Sequence, residues 1–297
     1  MNIEFDGPVS SANATLIRQV IEALIQRILA RDGDLDINAL DRIVVADDLP
    51  AAEARLGVTP VAGEHLSRIV ESGASFALLM NGVKLWSILE GDSAEIARLI
   101  HHLHKECWRL HDAAHPTPAT EAAAPLARAL APIVAVMWQE YRINRRTAWS
   151  LPADSDLLLN HLAALLEALP GGMQEEITLY FADQDLDGLF AKSLGRIAHL
   201  MQAVAHVQGY LDGMGQPLQA VSGEMHELVA GSFLSPIWLT TAQHLAAGHD
   251  IEPGELADVP LHRDIHNAFA TFGLQLREED GDVWVDVQPI ARPETLH

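Results

Sequence analysis

Five of the chain's fifteen histidines fall between residues 101 and 115: His101, His102, His104, His111 and His115. Imidazole is a frequent zinc ligand and a proton carrier near neutral pH, so metal or acid–base chemistry is sought first in this stretch. On a helix, residues three or four apart share a face. That rule selects His101/His104, His102/Glu106 and His111/His115 as the pairs able to act together. None completes an HExxH zinc motif. His111-Asp112-Ala113-Ala114-His115 has the spacing, but its Asp is too short to reach a catalytic water, and Pro116 follows at once, so the second histidine falls on a fraying turn.

The element carrying these residues is read from its start signal and its period. Asp92 or Ser93 supplies a cap, Glu95 suits the first turn, and Ile96, Leu99, Ile100, Leu103, Cys107, Leu110 and Ala114 form one apolar stripe ended by Pro116-Thr117-Pro118. A second long helix is expected from Thr120 to about Trp149, with Pro125 and Pro132 as kinks or breaks. Upstream, Leu16, Ile17, Val20, Ile21, Leu24, Ile25 and Ile28 mark a helix over 14–30 that Asp32-Gly33-Asp34 ends. Arg42–Ala46 reads as a strand. Phe76–Met80 and Lys84–Leu89 read as a hairpin around Asn81-Gly82, so residues 1–91 are a helix on a small sheet.

From Asp154 to about His249 the chain reads as helices separated by Pro170-Gly171-Gly172, Gly209 to Pro217 and Ser235-Pro236. A hairpin of 272–277 with 283–287 closes it. The fold expected is α+β and predominantly helical, divided into residues 1–150 and 151–297.

Composition narrows the function. The chain is 49% hydrophobic and 20% charged, so it can bury a core. With 19 Lys and Arg against 41 Asp and Glu, the net charge is −22, and no basic stripe could follow a phosphate backbone. Nucleic acid is therefore not expected as a partner. No leader pattern and no membrane-length apolar run is present, and the single Cys107 can form no disulfide within the chain, so a cytoplasmic location is expected. Nucleotide-binding glycine motifs and GxSxG are absent.

Weaker candidates resolve to structural readings. His226-Glu227 lacks a second histidine because Ala230 takes its place. Asp183-Gln184-Asp185-Leu186-Asp187 has Leu194 where a calcium loop needs Glu, so a helix-capping turn is expected. His262 and His266 have no third ligand that the sequence can nominate. Trp108 and Trp138 read as packing anchors, and Cys107, on the apolar stripe, as an inert core thiol.

His104-Lys105-Glu106-Cys107-Trp108-Arg109-Leu110-His111-Asp112, followed by Trp138-Gln139-Glu140-Tyr141-Arg142-Ile143-Asn144-Arg145, resembles the zincin-type metallopeptidases. Bacterial zincin-like proteins of this kind carry an HH-E-L-x-H-x-x-D helix and then a helix with W-x-E-Y-x-A-x-R. The resemblance covers roughly residues 40–150. It implies a zincin-like core of a small sheet and two long helices. In that family two helix histidines and the second helix's glutamate hold zinc, while the Glu after the first histidine activates water.

Carried over, Glu106 falls on the general base and Glu140 on the third ligand, with Tyr141 and Arg145 on the remaining motif positions. Lys105 and Arg109 occupy the ligand-histidine positions. Both are cations without a lone pair to offer a metal. The resemblance therefore implies a degenerate zincin without metal or catalysis, in which Lys105 and Arg109 balance Glu106 and Glu140 and the chain acts through an unidentified protein partner. Two alternatives stay open. One is an active zinc-dependent peptidase or hydrolase using His101, His104, His111 and His115 with Glu140. The other is a helical interaction module unrelated to zincins, in which Lys105, Glu106 and Arg109 are a charged helix face and the histidines are solvated or core residues.

Overall fold

The computed structural model describes residues 2–60, 65–116, 124–249 and 260–288. The chain is α+β and predominantly helical, and divides into two compact units: residues 1–117 with 150–154, and residues 118–149 with 155–297. The helix over 125–147 thus groups with the C-terminal helices, whereas the sequence reading placed it in a first domain ending at 150.

In the first unit, strands β1 (Asn2–Asp6), β2 (Leu40–Ala46) and β4 (Ser75–Asn81) run parallel, and β3 (Ser67–Ser72) pairs antiparallel to β4, giving the order β1-β2-β4-β3. Successive side chains on a strand point to opposite faces. Val44, Ala46, Ala77 and Leu79 accordingly share one face, with Val70 of β3, and pack with Leu49 and Ala52 of helix α3 (Leu49–Arg55). Ile43, Val45, Leu78 and Met80 are buried on the other face.

Helix α1 (Pro8–Ala12) leads into α2 (Ala14–Arg31), whose Ile17, Ile21, Ile25 and Ile28 recur every three or four residues and are all buried. The strand at 40–46 and the helix at 14–31 match the sequence expectation.

The hairpin expected at Asn81-Gly82 is not there. Asn81 ends β4 and accepts a bond from the Lys84 backbone N–H, which makes it the N-cap of α4 (Gly82–Leu89). Asn is as good a helix cap as a turn residue, and Gly82 sits where a Cβ would come within 2.8 Å of Asp47 Oδ1. The true hairpin joins β3 to β4, with Gly73 at φ +68°. Helix α5 (Ser93–Ala114) follows, packing against α2, α4 and β3.

The second unit is built on α6 (Pro125–Thr147) and α8 (Leu186–Met214), which pack along much of their length. Pro125 sits in the first turn of α6, where its missing N–H costs nothing, and Pro132 lies inside the helix. Helix α7 (Leu159–Asp183) runs unbroken through Pro170-Gly171-Gly172, which is not the break the sequence suggested, whereas α8 passes Gly209 but ends at Met214, inside the expected Gly209 to Pro217 break, with Gly215 as its left-handed cap. Their apolar faces, including Leu166, Leu169, Met173, Val204 and Val207, are buried, and that packing outweighs weak local propensity.

Asp185 caps α8 through the Gly188 N–H, as expected of the Asp-rich turn. Short helices α9 (Leu218–Val221) and α10 (Gly223–Ala230) precede α11 (Ser235–His249) and α12 (Leu261–Ala270). The expected C-terminal hairpin is β5 (Leu274–Glu279) with β6 (Asp282–Val287), seated on α12 and α6. Among the described residues, no helix is long and apolar enough to cross a membrane.

Candidate functional site

Helix α5 positions most of the candidate residues, and its sequence explains why. Asp92 accepts from the N–H groups of Ala94 and Glu95, which fixes the start. Leu99, Leu103, Cys107 and Leu110 then bury one stripe. His104, Glu106 and Trp108 are drawn under with it.

Glu106 is 6% exposed, so its carboxylate must find a partner within the protein. Arg109, one turn on, donates Nη1–H to Glu106 Oε1 at 2.7 Å. His102 Nε2 stands 4.0 Å from the same oxygen and 2.6 Å from Ser67 Oγ on β3. Burial pushes the His102 imidazole below its ordinary range, against the pull of Glu106. Lys105 is half-buried beside them. A metal does not fit the positions of Lys105 and Arg109, because an ammonium and a guanidinium have no lone pair to give, and Arg109 already engages the carboxylate.

The four histidines of the alternative metal set separate into two groups. His104, fully buried, brings Nε2 to 2.6 Å from Asp32 Oδ2 and Nδ1 to 2.8 Å from Ser150 Oγ. The Trp108 indole N–H donates to the same Asp32 oxygen at 2.9 Å. That oxygen is therefore an acceptor, so His104 carries its proton on Nε2 and offers Nδ1 to the Ser150 hydroxyl. His101 Nδ1, 2.9 Å from Ser150 Oγ, then donates to it.

His104 is thus a buried, doubly satisfied imidazole, and burial pushes its pKa down while Asp32 pulls it up. At the helix end, the Asp36 N–H donates to His111 Nδ1 at 3.0 Å, and His115 Nδ1 donates to the His111 carbonyl at 2.9 Å. Among the described residues no three His, Cys, Asp or Glu side chains converge as metal ligands.

Glu140, Tyr141 and Arg145 lie on α6 in the second unit. Glu140 Oε2 meets His206 Nδ1 of α8 at 3.2 Å and Asn144 Nδ2 at 3.3 Å. Tyr141 is fully buried; its hydroxyl donates to Asp212 of α8 and accepts from Arg145 at 3.0 Å. Burial and the Asp212 carboxylate together raise the Tyr141 pKa. The motif's second half therefore ties α6 to α8.

Cys107, buried, has its thiol pushed up to about 12 by burial and by Glu106 and Asp32, so it is no nucleophile at neutral pH. Trp108 is 3% and Trp138 7% exposed, as packing anchors should be. Asp264 of the His262/His266 segment pairs instead with His244 at 2.7 Å, while His266 reaches the Leu276 carbonyl.

Sequence reasoning missed Asp32, Ser150, His206 and Asp212. Asp32 had the only signal, as the helix terminator it also is. No protein-family model, curated protein or solved structure matches the chain.

Proposed function

We propose that this chain is a non-catalytic relative of the zincins that acts by binding another protein. One observation carries the reading: the Glu106 carboxylate, at the position of the water-activating base, is bonded at 2.7 Å by the guanidinium that stands at a zinc-ligand position. A cation built into the helix supplies the charge a metal would have supplied. The net charge of −22 favours a partner with a basic surface. A single buried thiol fits a reducing, cytoplasmic setting.

The test is the zinc content of the purified, untagged chain after exhaustive dialysis, together with its melting temperature with and without chelator. The reading expects a zinc-free protein indifferent to chelation. About one retained zinc per chain would overturn it and send the search to His101, His104, His111 and His115. The Lys105→His plus Arg109→His variant addresses ancestry. A gain of tight zinc binding supports a preserved zincin scaffold, and no gain favours the unrelated helical module.

A further inference from the structure

The second unit presents a pair of histidines that the zincin reading does not use. His161 lies near the start of α7 and His199 on α8, and their Nε2 atoms face one another at 3.0 Å, with ring centroids 5.0 Å apart and planes at 88°. His199 is exposed and His161 half-buried, so an ion in solution can reach both nitrogens. Two Nε2 atoms at this distance either share a proton or hold a cation between their lone pairs, and the neutral imidazole is the ligating form.

We propose that His161 and His199 form a two-donor site for a first-row transition-metal ion, bound most tightly as Cu(II). The argument is geometric. With metal–nitrogen bonds of about 2.0–2.1 Å, two ligands at right angles lie about 2.8–3.0 Å apart, whereas tetrahedral ligands lie about 3.3–3.4 Å apart. The observed 3.0 Å is that of the N–H···N bond the two rings make with each other, and both spans lie within about 0.4 Å of it, so one ion can replace the shared proton with little movement; among such ions nitrogen donors bind Cu(II) most tightly.

The two donors come from different helices, and those helices are tied together elsewhere. Glu176 of α7 receives Lys192 at 2.9 Å and Arg196 at 3.0 Å, both from α8. The histidines are thereby held on one packed pair, and a bound ion would staple α7 to α8. No third His, Cys, Asp or Glu joins them among the described residues, so water completes the coordination and the ion exchanges readily. Such an ion leaves on dialysis, which keeps this site distinct from the retained zinc that would overturn the proposed function.

The test is isothermal titration of the untagged full chain with NiCl2, CuCl2 and ZnCl2, repeated with His161→Ala, His199→Ala and, as a control, the exposed His226→Ala, with circular dichroism confirming the fold of each. Expected is one Cu(II) per chain bound more tightly than Zn(II), weakened at least about tenfold by either site variant and unchanged by the control. Cu(II) bound to the wild-type chain should show nitrogen hyperfine structure in its electron paramagnetic resonance spectrum that either variant simplifies. Cu(II) affinity unchanged in both variants would overturn the site. Zinc bound more tightly than copper would overturn the assignment of the ion.

Discussion

Arg109 and Glu106 form a 2.7 Å ion pair within one turn of α5, with the carboxylate 7% and the guanidinium 36% exposed at the side chain. The asymmetry sets what each residue is worth. Glu106 is buried and dependent on its donor, whereas Arg109 can rehydrate if released. Arg109→Ala should destabilise the chain by about 1–2 kcal/mol, discounted for the exposure of the cation, because it strands a buried charge. Adding Glu106→Gln should recover part of that loss. Urea unfolding of the two single variants and the double variant measures it, and strictly additive effects would mean that the pair is not coupled.

The His104 network predicts a pH dependence. Burial places the His104 and His102 pKa values below the ordinary imidazole value of about 6.5, so as pH falls through that value the unfolded chain takes up protons that the folded chain refuses. Stability should therefore decline from pH 7 toward pH 5.5, with a slope of at most about 1.4 kcal/mol per pH unit for each group. His104→Gln will lose stability at all pH values, since it breaks the bonds to Asp32 and Ser150. The informative readout is its slope, which should be shallower than the wild type's; equal slopes would remove His104 as a contributor.

What the sequence disclosed follows from the range of the interactions involved. Helix α5 was legible because its cap, its stripe and its stop are local, running from Asp92 to Pro116. The C-terminal hairpin was legible because alternating residues flank a tight turn at Asp280-Gly281, both at positive φ. Asn81-Gly82 misled because one dipeptide serves a hairpin and a helix start equally, and only burial of the following turn on α5 and the sheet decides between them. Strand β1 left no trace, since its five residues pair in register with β2 some forty positions away. The His104 relay was illegible for the same reason: Asp32 is 72 residues distant and Ser150 is 46.

Tyr141 extends the argument to alkaline pH. Its hydroxyl is bonded by Asp212 and Arg145, and burial with Asp212 raises its pKa. Above the ordinary tyrosine value of about 10, the unfolded chain ionises while the folded chain keeps its proton, so stability falls as pH rises. Tyr141→Phe should cost about 1 kcal/mol at pH 7 and should flatten the decline between pH 9.5 and 11. Chemical denaturation across that range, wild type against variant, decides it, and an unflattened curve would mean that Tyr141 ionises alike in both states.

The glycines of α8 offer a test of packing in which the sign alone is decisive. In an open helix interior, Gly→Ala stabilises by up to about 1 kcal/mol, because alanine loses less backbone entropy on folding. Gly195 has nothing within 4 Å of an added Cβ, so Gly195→Ala should raise the melting temperature. At Gly209 the same Cβ would stand 2.5 Å from the Tyr141 carbonyl oxygen, and at Gly213 it would run into that of Arg145. Backbone on α6 cannot yield as a side-chain tip can, so α6 and α8 must separate and disturb the Tyr141–Asp212 contact between them. Gly209→Ala and Gly213→Ala should each lose about 1–3 kcal/mol despite the better propensity of alanine. Thermal melts of the three variants separate the two effects: a rise for all three would mean that α6 and α8 do not approach as closely as these carbonyls require, whereas a rise at Gly195 with losses at the other two places the backbones in contact along that seam.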